Sequence, residues 1–179
     1  MALTSPLSST PTLPLDEAPR LHYNHSAENI ASLSTHLSHI ASSSLPSTLV
    51  AHSSTPHSPA PATQIPALVF YPTCTQHVSS IVAACHERFV AVTSFGGGTS
   101  LGGALTCTRG GVSVDFGRMK SVDGVDEADG NVSVQAGVGW VELNEVLEGR
   151  GFWFPVDPAK GASIGGMVSR GQVPKLCHL

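Results

Sequence analysis

An α+β fold is what this sequence predicts, and three observations carry the expectation. From Leu68 to Ser94 the chain reads strand, helix, strand. Beyond Gly111 it reads several strands followed by a helix, the segregated pattern of an α+β domain. Between these parts lies the glycine-rich stretch Phe95-Gly96-Gly97-Gly98-Thr99-Ser100-Leu101-Gly102-Gly103, at the carboxyl end of a strand, where α/β sheets commonly place ligands.

The elements follow from local chemistry. Residues 1–20 are rich in Ser, Thr and Pro, and this composition cannot bury enough apolar area to offset chain entropy, so disorder is expected there. The first basic residue, Arg20, comes after Asp16 and Glu17, which fits neither a mitochondrial transit peptide nor a secretory signal. Ile30, Leu33, Leu37 and Ile40 recur at helical spacing, predicting a short helix near 28–40 with Ser26 as its N-cap. His22, His25, His36 and His39 invite a metal reading. They have no Cys, Asp or Glu partners at ligand spacing, so solvated histidines are the simpler reading and no metal ligand is assigned. Residues 41–66 return to Ser, Pro, Thr and Ala and read as an extended linker, with a boundary near Ile65-Pro66. Limited proteolysis is expected to cut first in 1–20 and 41–62.

The folded body starts at Ala67. Leu68-Val69-Phe70-Tyr71 is a strand stopped by Pro72. Thr73 or Thr75 can cap the next helix, whose apolar face is read as Val78, Ile81, Val82 and Cys85. A strand at 90–94 completes a β-α-β unit with parallel strands. Residues 111–115, 122–125 and 132–135 are further strands, with 116–119 turning the chain after the first of them. Trp140, Leu143 and Leu147 mark a short amphipathic helix, with Gly149 in the position of a C-terminal cap.

Composition bounds the function. With 179 residues, 41% hydrophobic and 12% charged, the chain supports a domain with a real core. A net charge of −4 gives no basic footprint for nucleic acid, and no apolar run reaches the length of a membrane span. The four cysteines, Cys74, Cys85, Cys107 and Cys177, show neither a C-x-x-C pair nor zinc spacing and read as reduced thiols.

The glycine stretch carries the chemistry. Consecutive residues without Cβ let backbone approach a ligand closely, and successive N–H groups in such a turn form an anion-binding concavity. Thr99 and Ser100 add hydroxyl donors. It is not a Walker-type loop, because Thr99 rather than Lys follows Gly98, and G-x-G-x-x-G fails at Leu101. A flexible glycine turn between strands remains the alternative. A second small-residue loop follows Phe152-Trp153-Phe154 and runs through Pro155, Asp157, Gly161, Ala162, Ser163 and Gly165 to Met167. Its alternative is a surface turn after an aromatic cluster. Two such loops can grip one extended ligand from both sides, which favours a nucleotide cofactor.

Residues 68–168 closely resemble the flavin-binding domain of FAD-linked oxidases of the vanillyl-alcohol oxidase (PCMH) type, nearest the group of cytochrome-linked D-lactate dehydrogenases and glycolate oxidase subunits. The resemblance rests on Val69-Phe70-Tyr71-Pro72, the loop from Phe95 to Leu101, Gly111 to Met119, and Val134-Gln135-Ala136-Gly137-Val138-Gly139-Trp140. Phe154-Pro155-Val156-Asp157-Pro158 running into Gly161 to Met167 completes it. Taken in order, these motifs are far more specific than any one alone. The resemblance implies FAD held between two α+β subdomains, of which this chain carries the first and part of the second, truncated at the carboxyl end. It implies that Phe95, Gly96, Gly97, Gly98, Thr99, Ser100 and Leu101 hold the FAD diphosphate. Pro155, Asp157, Gly161, Ala162, Ser163, Gly165 and Met167 would line the flavin and its phosphates. A small 2-hydroxy acid as substrate, an electron acceptor such as cytochrome c, and a mitochondrial location are implied in the same way.

The expected organisation is therefore 1–66 mostly disordered with one short helix, 67–169 a partial FAD-binding domain, and 170–179 a tail foreign to the family. After Ser169 the sequence departs from the family's Ser-Gly-Thr-Asn type loop, in the manner of a shifted reading frame or a retained intron. Lys160 stands where proline or glycine is usual. No catalytic residue is assigned, and Asp115, Glu142, Glu145 and Asp157 read as surface or turn residues. The resulting expectation is the FAD-binding portion of a D-2-hydroxy-acid dehydrogenase, inactive as this fragment. A non-catalytic α/β module, or a truncated product that no longer binds flavin, is the alternative.

Overall fold

The structure is a computed structural model that describes residues 22–55, 58–171 and 176–178. The expectation for residues 1–20 lies outside the described residues. Helix α1 covers Ala27–His36, and the Ser26 hydroxyl accepts from the Asn29 N–H at its start. Ile30, Leu33, Leu37 and Ile40 are all buried, with Leu37 and Ile40 continuing the apolar stripe past the helix end.

Residues 41–66 contain regular structure where the sequence suggested a linker. Strand β1, Ser42–Ser43, pairs antiparallel with β2, Leu68–Phe70, and helix α2 covers Pro46–Ala51 with proline in its first turn. Composition hid both elements. The strand owes its pairing to the free edge of β2, and proline at a helix start already has the right φ and lacks only an N–H that would be unbonded there.

Helix α3 spans Thr75–Glu87 and joins β2 to β3, Val92–Phe95. Its N-cap is Cys74, without a side-chain cap, so neither Thr73 nor Thr75 plays that part. Its buried face is Ile81, Ala84 and Cys85, while Val82 is half exposed. Strand β4, Val112–Asp115, lies between β2 and β3 and is parallel to both. The expected β-α-β unit therefore has parallel strands that are not neighbours. Gly110 and Gly111 admit the inserted strand, with φ of 69° and 81°. Gly111 passes so close to Ala91 that a Cβ there would overlap the Ala91 carbonyl oxygen. The Ala67 N–H donates to the Gly111 carbonyl and the Val112 N–H to the Ala91 carbonyl, so both neighbours are hydrogen-bonded where β4 enters. The first core packs α1 and α3 on this sheet through Leu33, Leu37, Phe70, Ile81, Cys85, Val112 and Val114.

A 3-10 turn, Phe116–Arg118, leads to the antiparallel pair β5, Val122–Asp126, and β6, Asn131–Val134. Helix α4, Trp140–Glu148, follows. Glu142 closes its first turn by accepting from the Gly139 N–H, and it also takes a 2.7 Å hydrogen bond from Lys120. The Lys120 bond, then the backbone bond, hold the Glu142 carboxyl below the usual range. Gly149 is the C-cap in a right-handed helical conformation, and the left-handed residue is Gly151, with φ of 77°. Strand β7, Phe152–Trp153, helix α5, Ile164–Val168, and strand β8, Cys177–His178, complete the chain, with β8 antiparallel to β7. The second core joins Val138, Leu143, Leu147, Phe152, Phe154, Ile164 and Met167.

Burial separates the four thiols. Cys85 and Cys107 are buried, and Cys177 is exposed. Burial pushes the Cys85 thiol up to about 11 against the pull of Arg88, and pushes Cys107 up against a hydrogen bond with Thr93. Thiolate is the reacting form. In the native chain, alkylation at neutral pH is expected to label Cys177 and the half-buried Cys74 first, leaving Cys85 and Cys107 until unfolding. Peptide mass mapping over time reads the order, and early labelling of Cys85 would contradict the packing of α3.

Candidate functional site

The two glycine-rich loops meet. The first leaves β3 at Phe95, and the second leads into α5 through Ser163. A Cβ on Gly97 would overlap the Gly161 carbonyl oxygen, and one on Gly96 would stand 2.7 Å from the Ser163 hydroxyl. Gly97 has no left-handed φ, so what requires glycine there is the approach of the other loop.

The segment expected to carry the Gln-Ala-Gly-Val-Gly-Trp motif holds the second loop in place. Gly165 and Ile164 donate to the Ala136 and Val138 carbonyls at 2.9 and 2.8 Å. Gly139 and Ser163 form an isolated antiparallel bridge, and the Trp140 indole N–H donates to the Ala159 carbonyl at 3.3 Å. The Gly137 N–H donates to the Met119 carbonyl, and a Cβ there would overlap the Phe116 carbonyl oxygen. The motif is thus clamped between the turn after β4 and the second loop, which couples the two cores.

A cavity of about 660 Å³ opens where the loops meet. Of the residues expected from the sequence, Gly96, Gly97, Gly98, Thr99, Ser100, Leu101, Ala162, Ser163 and Met167 line it. Phe95, Pro155, Asp157, Gly161 and Gly165 do not. Phe95 turns its ring onto His52, Gly161 gives its carbonyl to the approach of Gly97, and Gly165 packs on Ala136. Gly102, Pro158, Ala159 and Gly166, which fall within the two loops the sequence singled out, also line the cavity, as do Ser94, Ala104, Leu105, Ser169 and Arg170, which sequence reasoning missed. Most of them adjoin the expected loops and were within reach of the same signal. Arg170 was not, because its segment read as a foreign tail.

The lining fits an anionic nucleotide cofactor. Among the described residues, none of the backbone N–H groups from Gly96 to Leu101 donates to a protein acceptor. Thr99, Ser100 and Ser169 add hydroxyls at the lining, Arg170 adds a cation, and no described lining residue is a carboxylate. Free backbone donors in a glycine turn beside a cation form a cradle for phosphate oxygens. The volume is that of a cofactor-sized pocket.

The mixed helix-and-strand fold is similar to that of FAD-binding domains of the vanillyl-alcohol oxidase (PCMH) type. Solved structures share this fold. An alkyldihydroxyacetonephosphate synthase aligns with a TM-score of 0.67 at 21% identity, over 81% of this chain and 32% of that one. A 4-ethylphenol oxidase from Gulosibacter chungangensis aligns with a TM-score of 0.67 at 22% identity, over 79% of this chain and 29% of its own.

The FAD binding domain family matches residues 66–179, and the chain belongs to that family, with FAD as its cofactor. The match runs past the boundary at 169 that the sequence suggested. The D-lactate dehydrogenase [cytochrome], mitochondrial, of Arabidopsis thaliana is 44% identical over 108 residues, 60% of this chain and 19% of that protein. The D-lactate dehydrogenase [cytochrome] 1, mitochondrial, of Saccharomyces cerevisiae is 40% identical over 129 residues, 69% of this chain and 22% of its own. Glycolate oxidase subunit GlcD of Bacillus subtilis is 32% identical over 107 residues, 59% of this chain and 23% of that protein. The chain thus spans between 19% and 23% of the length of these relatives. Among the described residues, no helix is long and apolar enough to cross a membrane.

Proposed function

We propose that these residues form the FAD-binding portion of a flavin-dependent dehydrogenase acting on small D-2-hydroxy acids, with electrons passed to an acceptor such as cytochrome c. The observation that carries this reading is the 44% identity with a D-lactate dehydrogenase [cytochrome] over a stretch of 108 residues. In this reading the backbone N–H groups of Gly96 to Leu101, with Thr99 and Ser100, hold the diphosphate. Ala162, Ser163 and Met167 line the cofactor from the opposite loop, and Arg170 balances negative charge at the rim. Bound FAD supplies a two-electron acceptor, the chemistry that oxidation of a hydroxy acid requires.

The same lining supports a division of labour. Its one charged side chain among the described residues is Arg170, and it offers no His, Asp or Glu to take the proton of a substrate hydroxyl. Orientation of a substrate against a reacting centre is worth roughly 7–11 kcal/mol of barrier. Residues 1–179 alone are therefore expected to bind FAD weakly and to turn over no hydroxy acid. The test supplies the chain with FAD, D-lactate or glycolate, and an artificial electron acceptor. A saturable fluorescence change with FAD and no rate above free FAD is the expected result. Substrate-dependent reduction above that control would place a proton acceptor within these residues and defeat the division of labour. Absence of any FAD binding would defeat the cofactor assignment.

A further inference from the structure

His52 lies just after α2, outside residues 66–179, and is 8% exposed. Its Nδ1 sits 2.8 Å from the Thr48 carbonyl oxygen and its Nε2 sits 2.8 Å from Asp115 Oδ2. A carbonyl only accepts, so Nδ1 carries a hydrogen. A protonated imidazole donates its second N–H to Asp115 Oδ2. The other carboxylate oxygen, Oδ1, accepts from the Gly117 N–H at 2.7 Å, holding the turn after β4. Both hydrogen-bonding positions of the imidazole and both oxygens of Asp115 are engaged.

The imidazole is also packed against the first glycine loop. Its centroid stands 4.5 Å from that of Phe95, the residue that opens the loop, at 48° between ring planes. Phe95 Cζ lies 3.3 Å from where a Cβ on Gly98 would stand, so the ring lies under the loop backbone. On the other side, Tyr71 meets His52 edge-on at 6.0 Å, and the Arg118 guanidinium lies 4.7 Å above the Tyr71 ring. Burial, then the charge of Asp115, raise the Tyr71 phenol against Arg118, which keeps that ring a neutral wall.

The geometry points to His52 as a positioning residue for the cofactor loop: anchored by Thr48 and Asp115, it fixes the Phe95 ring and through it the backbone of Gly96 to Ser100. This rests on the reading of that loop as the diphosphate cradle. The latch joins a segment outside the family match to the carboxyl ends of β3 and β4. It gives α2 and its flanking chain a role in binding that the loop sequence alone does not reveal.

The chemistry provides a rescue. Asn at position 115 keeps one oxygen for Gly117 and offers an N–H to the Nε2 lone pair of a neutral His52. Leu at 115 offers neither. The experiment compares wild type, His52→Ala, Asp115→Asn and Asp115→Leu as the full 179-residue chain. Backbone 15N relaxation is measured without flavin, followed by FAD titration. His52→Ala and Asp115→Leu are expected to lower the order parameters of Gly96 to Ser100 from about 0.85 to below about 0.6, leaving α4 unchanged. Both should also weaken FAD by roughly tenfold, while Asp115→Asn stays near wild type in both readouts. Should His52→Ala fail to fold, the two Asp115 variants carry the comparison.

Unchanged loop order parameters in His52→Ala and Asp115→Leu overturn the inference, as does a loop already mobile in wild type. So does an Asp115→Asn variant as damaged as Asp115→Leu, because a merely structural loss would show no rescue. Loosening of the loop in His52→Ala and Asp115→Leu, with a wild type that is ordered there but takes up no FAD, supports the latch and sinks the cradle reading instead.

Discussion

Gly97→Val is expected to abolish measurable binding of FAD. The Gly97 Cα sits so close to the second loop that any Cβ overlaps the Gly161 carbonyl oxygen, and the Ala162 Cα is 3.3 Å from the same point. Both obstacles are backbone, so no rotamer change relieves the clash. One loop has to move, and the cavity is defined by their approach. Overpacking of this kind costs about 1–3 kcal/mol of stability, so the variant is expected to fold with a lowered melting midpoint. Loss of cradle geometry should weaken FAD by at least roughly tenfold, about 1.4 kcal/mol. Gly124→Ala is the matched control, because Gly124 does not line the cavity, has no atom within 4 Å of a new Cβ and has no left-handed φ. Fluorescence titration of the folded proteins with FAD reads both. Wild-type affinity in Gly97→Val would show that loop contact is not what shapes the cradle.

Phe70→Ala is expected to have the largest effect on stability, a loss of about 3–5 kcal/mol. Phe70 is fully buried at the end of β2, in the core that packs α1 and α3 on the sheet. Its backbone also pairs with Ser42 on β1 and Val114 on β4, so the cavity left behind is walled by three strands and cannot collapse readily. A domain of this size has about 5–15 kcal/mol in total, so the variant should sit near the edge of folding at room temperature. Chemical denaturation followed by far-UV circular dichroism measures the change. A loss under about 1 kcal/mol would mean that the α1–α3 core contributes little, and that the Val138–Met167 core carries the stability.

The two experiments separate two levels of organisation. Phe70 reports on a core that apolar periodicity already announced, through Leu33, Leu37, Phe70 and Ile81. Gly97 reports on a meeting of loops more than sixty residues apart in sequence, which no local pattern announces. The sequence supplied the glycines, and the structure gives neighbouring ones different uses. Left-handed backbone is used at Gly98, with φ of 67°, whereas Gly97 needs space for a neighbouring carbonyl.

What the sequence by itself determined is the family, helix α1 and the local elements from β2 to α4. The stripes Ile30–Leu33–Leu37 and Leu143–Leu147, the apolar run at 68–70 and the ordered motifs around both glycine loops were readable because each depends on near neighbours. Tertiary structure alone decided the rest. The insertion of β4 between β2 and β3 depends on two left-handed glycines meeting the end of another strand. The order of residues 42–51 depends on the free edge of β2, since their own Ser-rich composition buries little. Arg170 joins the cavity only because α5 turns it there. His52 and Asp115 lie 63 positions apart, and a histidine in a Ser- and Pro-rich stretch carries no local mark of its partner. Their pairing exists because the sheet brings the end of β4 beneath α2, and a buried ring with hydrogen-bonding groups on both sides is satisfied only there.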